Sequence, residues 1–553
     1  MNVDKLTHDD AGNDVTPRTS EDWDEWVSAT KLRGHLLKET LGDWLDRYGD
    51  DRCFVRDECR DDYDENLDFL AFRREQGRMF EAAVAAYLAE RTDLVRIASS
   101  GRDSRDLHQA RETLAALTKG REVIHQGILW NPEDRTYGVP DFLVRSDAFD
   151  RLFPDHLDPG EAERPAPGLH EPWHYLVVDA KFTKLHLGKE LKKLLAEGSS
   201  TAAYKAQLCL CNAALGRLQG YTPPGAYLLG RGYEHKSTRS EFPPRSNVAT
   251  DRLGLVTMDD GLRKKVADAT GWMRRLRREG GDWSPLPEPS VPELEPKKSD
   301  GPWSETIKEI ARQRRELTDP PASGSVVRPA RIEAAEEFWR KPAPLEFFVD
   351  FEFVHDLDDD FRTFPKAGGQ EVIFMIGCGH VENAAWHFRC FVADRLDLAS
   401  EARIVSAWLA HMEERSRHFR VDAPKVFHWT HAEPTNYVRA RKRHPCEPWP
   451  EPAWFDLHKR VFKAEPVSVR SSDSLGLKSI AKALHAHGLI QTSWGDSSMD
   501  GMGAMVGAWR CDREGRRTGG RLVDAALIKE IRDYNDTDCK VMQEILDYLR
   551  EHH

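Results

Sequence analysis

Residues 346–354 read EFFVDFEFV and carry two acids, Asp350 and Glu352, inside an otherwise apolar run. Aromatic and β-branched residues dominate the run, which predicts a β-strand. Side chains two positions apart leave the same face of a strand, so both carboxylates are predicted on one face. Neighbouring carboxylates repel each other unless a cation lies between them, and the pattern therefore predicts a metal site. The alternative is an edge strand that shows both acids to water.

The sequence around this run predicts an α/β domain over 345–553. The order of predicted elements after the first strand is strand (372–380), strand (385–393), helix (399–416), strand (425–429) and then several helices. Strands followed by alternating helices and strands are typical of a layered α/β fold. Near the end, the stretch IRDYNDTDCKVMQEILDYL predicts a helix with Tyr534 and Asp538 four apart and therefore on one face.

A second pair of charged residues lies in the strand-like stretch YLVVDAKF, residues 175–182. Asp179 and Lys181 are two apart, so the pattern predicts both side chains on one face of a sheet. The alternative is a structural ion pair at a strand end. Upstream, GVPDFLVR places Asp141 at the start of another predicted strand, and Glu81 lies in GRMFEAAV on a predicted amphipathic helix.

The order GxxFE, G-x-PD, VVDAKF and then a helix with YKAQLCLCNAALGRLQG resembles the RecB-type branch of PD-(D/E)XK nucleases over about 80–230. The resemblance implies a mixed sheet with flanking helices, with Mg²⁺ or Mn²⁺ held by Glu81, Asp141 and Asp179. It also implies that Lys181 orients or activates the attacking water and that Gln207 is the motif glutamine. Hard oxygen ligands independently suit Mg²⁺, which lowers the pKa of bound water.

Two departures from that family stand out. Cys211 occupies the place where many members have a tyrosine after the helix glutamine. Some relatives clasp an iron-sulfur cluster with four cysteines, but here only Cys53 and Cys59 flank the domain on its N-terminal side, so no cluster is predicted.

The strand with Asp350 and Glu352, combined with the Tyr534-x-x-x-Asp538 helix, resembles the DEDD exonucleases of the ribonuclease H-like superfamily over 345–550. The resemblance implies a metal site in which Tyr534 positions the nucleophilic water. It places the middle acid at Glu433, where that superfamily usually has Asp, with Asp456 as the alternative unless Asp456 caps its own segment. Two metal ions in such a site activate water and stabilise the leaving oxygen.

Length and composition predict the number of domains and the class of protein. A chain of 553 residues exceeds what one core usually serves, so two large domains are predicted. The proline-rich stretch 285–302 is the predicted boundary. The predicted segments are a disordered lead-in (1–20), the PD-(D/E)XK domain (21–285), a connector (286–344) and the ribonuclease H-like domain (345–553). Nine cysteines without a repeated spacing, no signal sequence and no long apolar run predict a reduced, cytoplasmic protein without a membrane partner.

A formal net charge of −13 argues against a protein that coats nucleic acid nonspecifically. Local basic runs can still form a track for phosphates, although each is also typical of a solvated helix face. The residues predicted to contact nucleic acid are Gln207, Lys184, Lys189, Arg439, Arg441 and Lys478.

The sequence therefore predicts a metal-dependent nuclease that hydrolyses DNA, in genome maintenance or defence by analogy, with a helicase in trans as a further partner. Two alternatives stay open. One is a nucleic-acid-binding or assembly module in which one or both sites have decayed. The other is a ribonuclease, since no residue in the sequence distinguishes ribose from deoxyribose in the substrate.

Overall fold

The computed structural model describes residues 3–98, 101–158, 160–195, 200–237, 243–297, 301–318, 325–495 and 499–553. The chain forms two compact units of mixed α/β structure. Unit 1 comprises Met1–Cys59, Arg73–Thr318 and Asp359–Gly368. Unit 2 comprises Arg60–Phe72, Asp319–Asp358 and Gly369–His553.

Unit 1 is built on three sheets. Its strands are β1 (Val27–Ser28), β2 (Leu94–Arg96), β3 (Val123–His125), β4 (Leu129–Asn131), β5 (Thr136–Gly138), β6 (Phe142–Arg145), β7 (Tyr175–Lys181), β8 (Leu185–His186), β9 (Gly225–Gly230), β10 (Tyr233–Glu234), β11 (Arg245–Ser246) and β12 (Gly254–Thr257). The largest sheet has the order β12-β9-β7-β6-β3-β2, and the smaller ones are β1-β5-β4 and β11-β10-β8. In the large sheet β7 runs parallel to β9 and antiparallel to β6.

The helices of unit 1 pack with these sheets around two clusters of buried apolar residues. They are α1 (Ser20–Glu25), α2 (Arg33–Leu37), α3 (Thr40–Tyr48), α4 (Phe69–Ala89, from Arg73 onward), α5 (Leu107–Thr118), α6 (Ser146–Leu152), α7 (Thr201–Gln219), α8 (Asp260–Glu279) and α9 (Ser304–Thr318). Helix α7 packs against β7, and its successive turns bury leucines and alanines.

Unit 2 contains one five-stranded sheet. Its strands, with a separate small pair, are β13 (Val327–Arg328), β14 (Glu346–Val354), β15 (Val372–Glu382), β16 (Ala385–Val392), β17 (Lys425–His428), β18 (Ala453–Asp456) and β19 (Ser468–Val469). The sheet order is β16-β15-β14-β17-β18, with antiparallel pairs among the first three strands and parallel pairs from β14 to β18. Strand β14 is therefore central, which contradicts the predicted alternative of an edge strand.

Helices pack against this sheet and complete the core of unit 2. They are α10 (Glu336–Trp339), α11 (Leu398–Phe419), α12 (Ala432–Arg443), α13 (Leu477–Ala486), α14 (Gly501–Thr518) and α15 (Ala526–His552). Helix α15 packs against β14 and β15, and it buries Ile531, Val541 and Leu549 in the process. The long C-terminal helix thus brings the end of the chain to the central strand.

Two predicted segments look different in the structure. The lead-in contains a 3₁₀ helix at Val3–Leu6 with Leu6 fully buried, so its described residues from Val3 onward are ordered rather than disordered. The proline-rich stretch 285–302 belongs to unit 1, where Leu294 is buried. None of the helices formed by the described residues is long and apolar enough to cross a membrane.

Candidate metal centres

The central strand of unit 2 holds the first acidic cluster. Asp350 and Glu352 lie on β14, and the register of β14 against β15 shifts between Glu352 and Phe353. Such a bulge re-aims neighbouring side chains and is common beside functional sites. Carboxylate oxygens of Asp350, Glu352 and Asp538 all lie within 4.8 Å of one another. These three residues are called the C-terminal centre below.

Neutral donors hold two of these carboxylates in place. The amide Nδ2 of Asn535 donates to Asp350 Oδ2 at 2.6 Å, and the indole Nε1 of Trp494 donates to Asp538 Oδ1 at 2.9 Å. Asn535 and Asp538 are both buried on α15. Helix α15 therefore supplies both a candidate metal ligand, Asp538, and the amide of Asn535, which holds the carboxylate of Asp350 in place.

Burial together with mutual repulsion dominates the electrostatics of the C-terminal centre. Burial, Asp538 and Glu352 raise the pKa of Asp350 well above its ordinary value, and Glu352 is shifted in the same direction for like reasons. Burial raises the pKa of Asp538 to about 7, against the opposing influence of Lys478. A cation bound among these buried carboxylates would offset their mutual repulsion and stabilise their ionised forms.

Tyr534 and Lys478 border the same cluster. Burial and the charge of Asp538 raise the pKa of the Tyr534 phenol, so this hydroxyl stays protonated near neutral pH. The ammonium of Lys478, on α13, lies 5.0 Å from the centre of the Tyr534 ring. Lys478 was predicted only as a nucleic-acid contact, and the structure brings it to the centre itself.

Glu433 and Asp456 were the two candidates for the middle acid. Glu433 is buried at the start of α12, and its charge raises the pKa values of Asp350, Glu352 and Asp538. Asp456 ends β18, and its side chain accepts from the backbone N of Lys459 at 2.7 Å, in the first turn of the π-helix His458–Phe462. The geometry favours Glu433 and gives Asp456 the capping role of the alternative interpretation.

The second cluster lies in unit 1, where β6 and β7 pair. The backbone N of Asp141 donates to Asp179 Oδ1 at 3.0 Å, and the backbone N of Ala180 donates to Asp141 Oδ2 at 2.8 Å. Both acids are buried. Residues 38 positions apart are thus brought together by the antiparallel register.

Lys181 supplies this second cluster with its own cation. Its Nζ lies 3.3 Å from Asp141 Oδ2 and 3.4 Å from Asp179 Oδ2. Burial lowers the pKa of Lys181, but the attraction of the two carboxylates outweighs it and raises the pKa overall. Burial raises the pKa of Asp141 to about 7 while Lys181 opposes that shift. The ion pair of the alternative interpretation is present, and it includes Asp141 as well.

Glu81 reaches this cluster from α4. Its Oε1 lies 2.9 Å from His125 Nε2 and accepts from Gln126 Nε2 at 2.5 Å. Burial opposes ionisation of Glu81, but the hydrogen bonds from His125 and Gln126 prevail and lower its pKa. Glu81, Asp141, Asp179 and Lys181 are called the N-terminal centre below.

The remaining residues predicted to contact nucleic acid differ in burial and in ion pairing. Gln207 is half-buried on α7, Lys184 is half-buried after β7 and Lys189 is exposed. Arg439 pairs with Glu371 at 2.6 Å and Arg441 with Glu451 at 2.8 Å. Both arginines are partly exposed, and exposed ion pairs of this kind are weak, so their contact with nucleic acid stays a prediction. Cys211, in place of the family tyrosine, is buried near Asp179, which helps to raise its pKa.

Several residues of the two centres escaped the sequence analysis. They are Gln126, His125, Trp494, Asp500 and Asn535. Asn535 lies between Tyr534 and Asp538 in sequence, which is a usable signal. Asp500 caps α14 by accepting from the backbone N of Met502 and Gly503, and it is followed by Gly501. The others are ordinary polar residues whose role depends on long-range contacts.

The donor chemistry of both centres suits a hard divalent cation, and among the described residues the spacing of three ligand atoms within 4.8 Å is met by the C-terminal centre alone. Every proposed ligand is a carboxylate, and oxygen ligands suit Mg²⁺ and Mn²⁺. Two buried carboxylate oxygens, Asp179 Oδ2 and Glu433 Oε2, have no hydrogen bond with any described residue, although Lys181 Nζ lies 3.4 Å from the first and His428 Nδ1 lies 3.4 Å from the second. Buried polar atoms without such a partner are rare, and an ion is one of the explanations.

Comparisons with known proteins return no relative of this chain. No protein-family model, no curated protein and no solved structure matches it. The interpretation of the two centres depends on their own geometry and chemistry.

Proposed function

We propose that the chain is a metal-dependent nuclease with two separate acidic centres, one of the PD-(D/E)XK type in unit 1 and one of the DEDD type in a ribonuclease H-like unit 2. The observation that carries the proposal is the cluster of Asp350, Glu352 and Asp538, whose oxygens lie within 4.8 Å of one another although Asp538 is far from the other two in sequence. Mg²⁺ or Mn²⁺ is the proposed cofactor.

The residues of the C-terminal centre and their neighbours Glu433 and Tyr534 would have separate roles. Asp350, Glu352, Asp538 and Glu433 would hold the cations, which supply a bound water of lowered pKa and neutralise charge on the phosphate. Tyr534 stays protonated and would orient the attacking water through its hydroxyl. The water oxygen forms the new bond to phosphorus, the bond to the sugar oxygen breaks, and that oxygen takes up a proton.

The N-terminal centre would perform the same reaction with a resident ammonium. Asp141, Asp179 and Glu81 offer the carboxylate oxygens, and Lys181 lies between two of them. With a cation bound, Lys181 would be released to face the water or the phosphate. The proposed substrate is DNA, processed from its ends, and a helicase acting in trans remains a proposal from the family resemblance alone.

The test uses purified full-length protein with end-labelled single-stranded and duplex DNA and RNA, in Mg²⁺, Mn²⁺ or EDTA. Asp179→Ala and Asp350→Ala are expected to lose activity of their own centre by at least about 100-fold, because each removes a metal ligand. Asp150→Ala in unit 1 and Asp533→Ala in unit 2 are the matched controls, because both acids are exposed and neither belongs to a centre.

The products identify the substrate class and the role of each centre. Cleavage of RNA but not DNA would make the protein a ribonuclease. Equal background from wild type and the Asp179→Ala, Asp350→Ala double variant would refute the catalytic proposal and leave a nucleic-acid-binding module.

A further inference from the structure

The turn between β3 and β4 contains an unusual residue. Gln126 has φ of 58°, in the left-handed region that favours glycine. Residues with side chains in this region are held there by their surroundings, and they cluster at functional sites. The backbone conformation of Gln126 therefore calls for a physical reason.

Hydrogen bonds on both sides hold this backbone. The N of Gln126 donates to the carbonyl of Asp141 at 2.9 Å, and the N of Ala98 donates to the carbonyl of Gln126 at 3.2 Å. One of these partners is itself a member of the N-terminal centre. The left-handed turn is thus tied directly to the acid that begins β6.

The side chain of Gln126 contacts two carboxylates from different elements. Its Nε2 donates to Glu81 Oε1 at 2.5 Å and to Asp141 Oδ1 at 3.4 Å. Glu81 comes from α4 and Asp141 from the start of β6. One amide nitrogen thus links the carboxylates of Glu81 and Asp141.

An amide suits this place for chemical reasons. Its two N–H groups donate to both carboxylates without adding a charge that would compete with a metal ion. His125 holds Glu81 from a second direction, and its ring stacks on Phe142 with 5.0 Å between centroids. The carboxylate of Glu81 is therefore fixed by neighbours that are themselves packed.

We propose that Gln126 is a positioning residue of the N-terminal centre, whose amide holds Glu81 and Asp141 at the spacing needed to bind one divalent cation together. This inference rests on the proposed function, because it assumes that the centre binds metal. The left-handed turn is the means by which the backbone delivers the amide to both carboxylates.

The test measures Mn²⁺ affinity by electron paramagnetic resonance on the full chain. Asp350→Asn and Asp538→Asn are present throughout, so that the signal reports on the N-terminal centre. Gln126→Met keeps the length of the side chain and the left-handed backbone but removes both donors. We expect Mn²⁺ affinity to fall about tenfold, as for other groups that orient metal ligands, with an unchanged melting temperature.

Two further variants keep the test decisive. Gln126→Gly removes the amide while relieving the backbone, so it is expected to fold and to lose affinity like Gln126→Met. His170→Gly is the matched control, because His170 is exposed in the same unit with φ of 57°. It is expected to bind Mn²⁺ like the parent.

The outcomes separate this inference from the proposed function. A parent protein that binds no Mn²⁺ would refute the N-terminal metal centre altogether. A parent that binds Mn²⁺ as tightly as both Gln126 variants would overturn the inference alone. A loss of affinity shared by His170→Gly, or accompanied by lower melting temperatures in both Gln126 variants, would assign Gln126 to the fold and overturn it as well.

Discussion

The two acidic centres neutralise their charge in opposite ways. In the N-terminal centre, the ammonium of Lys181 lies within 3.4 Å of both Asp141 and Asp179. In the C-terminal centre, three carboxylates lie together, and the contacts that hold Asp350 and Asp538 come from the neutral donors Asn535 and Trp494. The first centre thus has an ammonium beside two of its carboxylates, whereas in the second the charge of Lys478 only opposes the rise in the pKa of Asp538, and burial still raises that pKa.

This difference shows that acidic clusters of similar composition can respond differently to substitution. Removing the cation from the N-terminal centre leaves buried charge without compensation. Removing an acid from the C-terminal centre relieves repulsion, as long as no metal is bound. The stability changes are therefore expected to have opposite signs.

Lys181→Met gives the largest expected effect on stability. It leaves Asp141 and Asp179 buried without their shared partner, so the free energy of unfolding is expected to fall by about 3 kcal/mol in EDTA at pH 7.5. The measurement is urea denaturation followed by tryptophan fluorescence. Lys189→Met is the control for stability, because this lysine is exposed. If Lys181→Met were as stable as wild type, the proposed difference in charge compensation between the two centres would be wrong.

Asp538→Asn is expected to stabilise the metal-free protein. Burial raises the folded-state pKa of Asp538 to about 7, above the unfolded value of about 3.9. Its contribution to stability is fully present below the unfolded value and is lost as pH rises through about 7. Asn does not ionise, so the variant keeps this stability. We expect its free energy of unfolding to exceed that of wild type by about 2 kcal/mol at pH 8.

The pH profile in EDTA checks this prediction. The advantage of Asp538→Asn is expected to vanish at pH 4 and to disappear at pH 8 when excess Mg²⁺ is added, because only wild type gains from the cation. Asp533→Asn, an exposed acid on the same helix, is expected to stay within about 0.5 kcal/mol of wild type. A variant less stable than wild type at pH 8 in EDTA would contradict the account of the C-terminal centre.

Glu433→Gln tests which acid completes the C-terminal centre. It is expected to slow cleavage by that centre about tenfold, because it replaces a charged ligand candidate by a neutral amide of the same size. Asp456→Asn is the matched variant and is expected to stay within about twofold, since its side chain caps a turn. A larger loss in Asp456→Asn than in Glu433→Gln would reverse the assignment.

The sequence predicted the acid-bearing elements well. The strands that became β7 and β14 and the helix that became α15 follow from local patterns of apolar residues, and the acids on them were identified by their spacing alone. A period of two places such side chains on one face whatever the rest of the fold. The left-handed turn at Gln126, between the short strands β3 and β4, could not be predicted, because an ordinary glutamine gives no sign of it.

What the sequence did not predict depends on contacts between distant residues. Trp494 is an ordinary aromatic residue in sequence, and its donation to Asp538 exists only in the folded chain. The membership of residues 60–72 in unit 2 and of 359–368 in unit 1 has the same origin. The ordered lead-in depends on Leu6, which is buried in the core of unit 1, and on Val15, which packs against the same core.

Anomalous X-ray diffraction from crystals grown with Mn²⁺ tests the central claim most directly. The account predicts one set of peaks among Asp350, Glu352 and Asp538, and a separate peak beside Asp141 and Asp179, with Lys181 displaced from at least one of them. Crystals without peaks at either cluster, at Mn²⁺ concentrations that support cleavage, would contradict it.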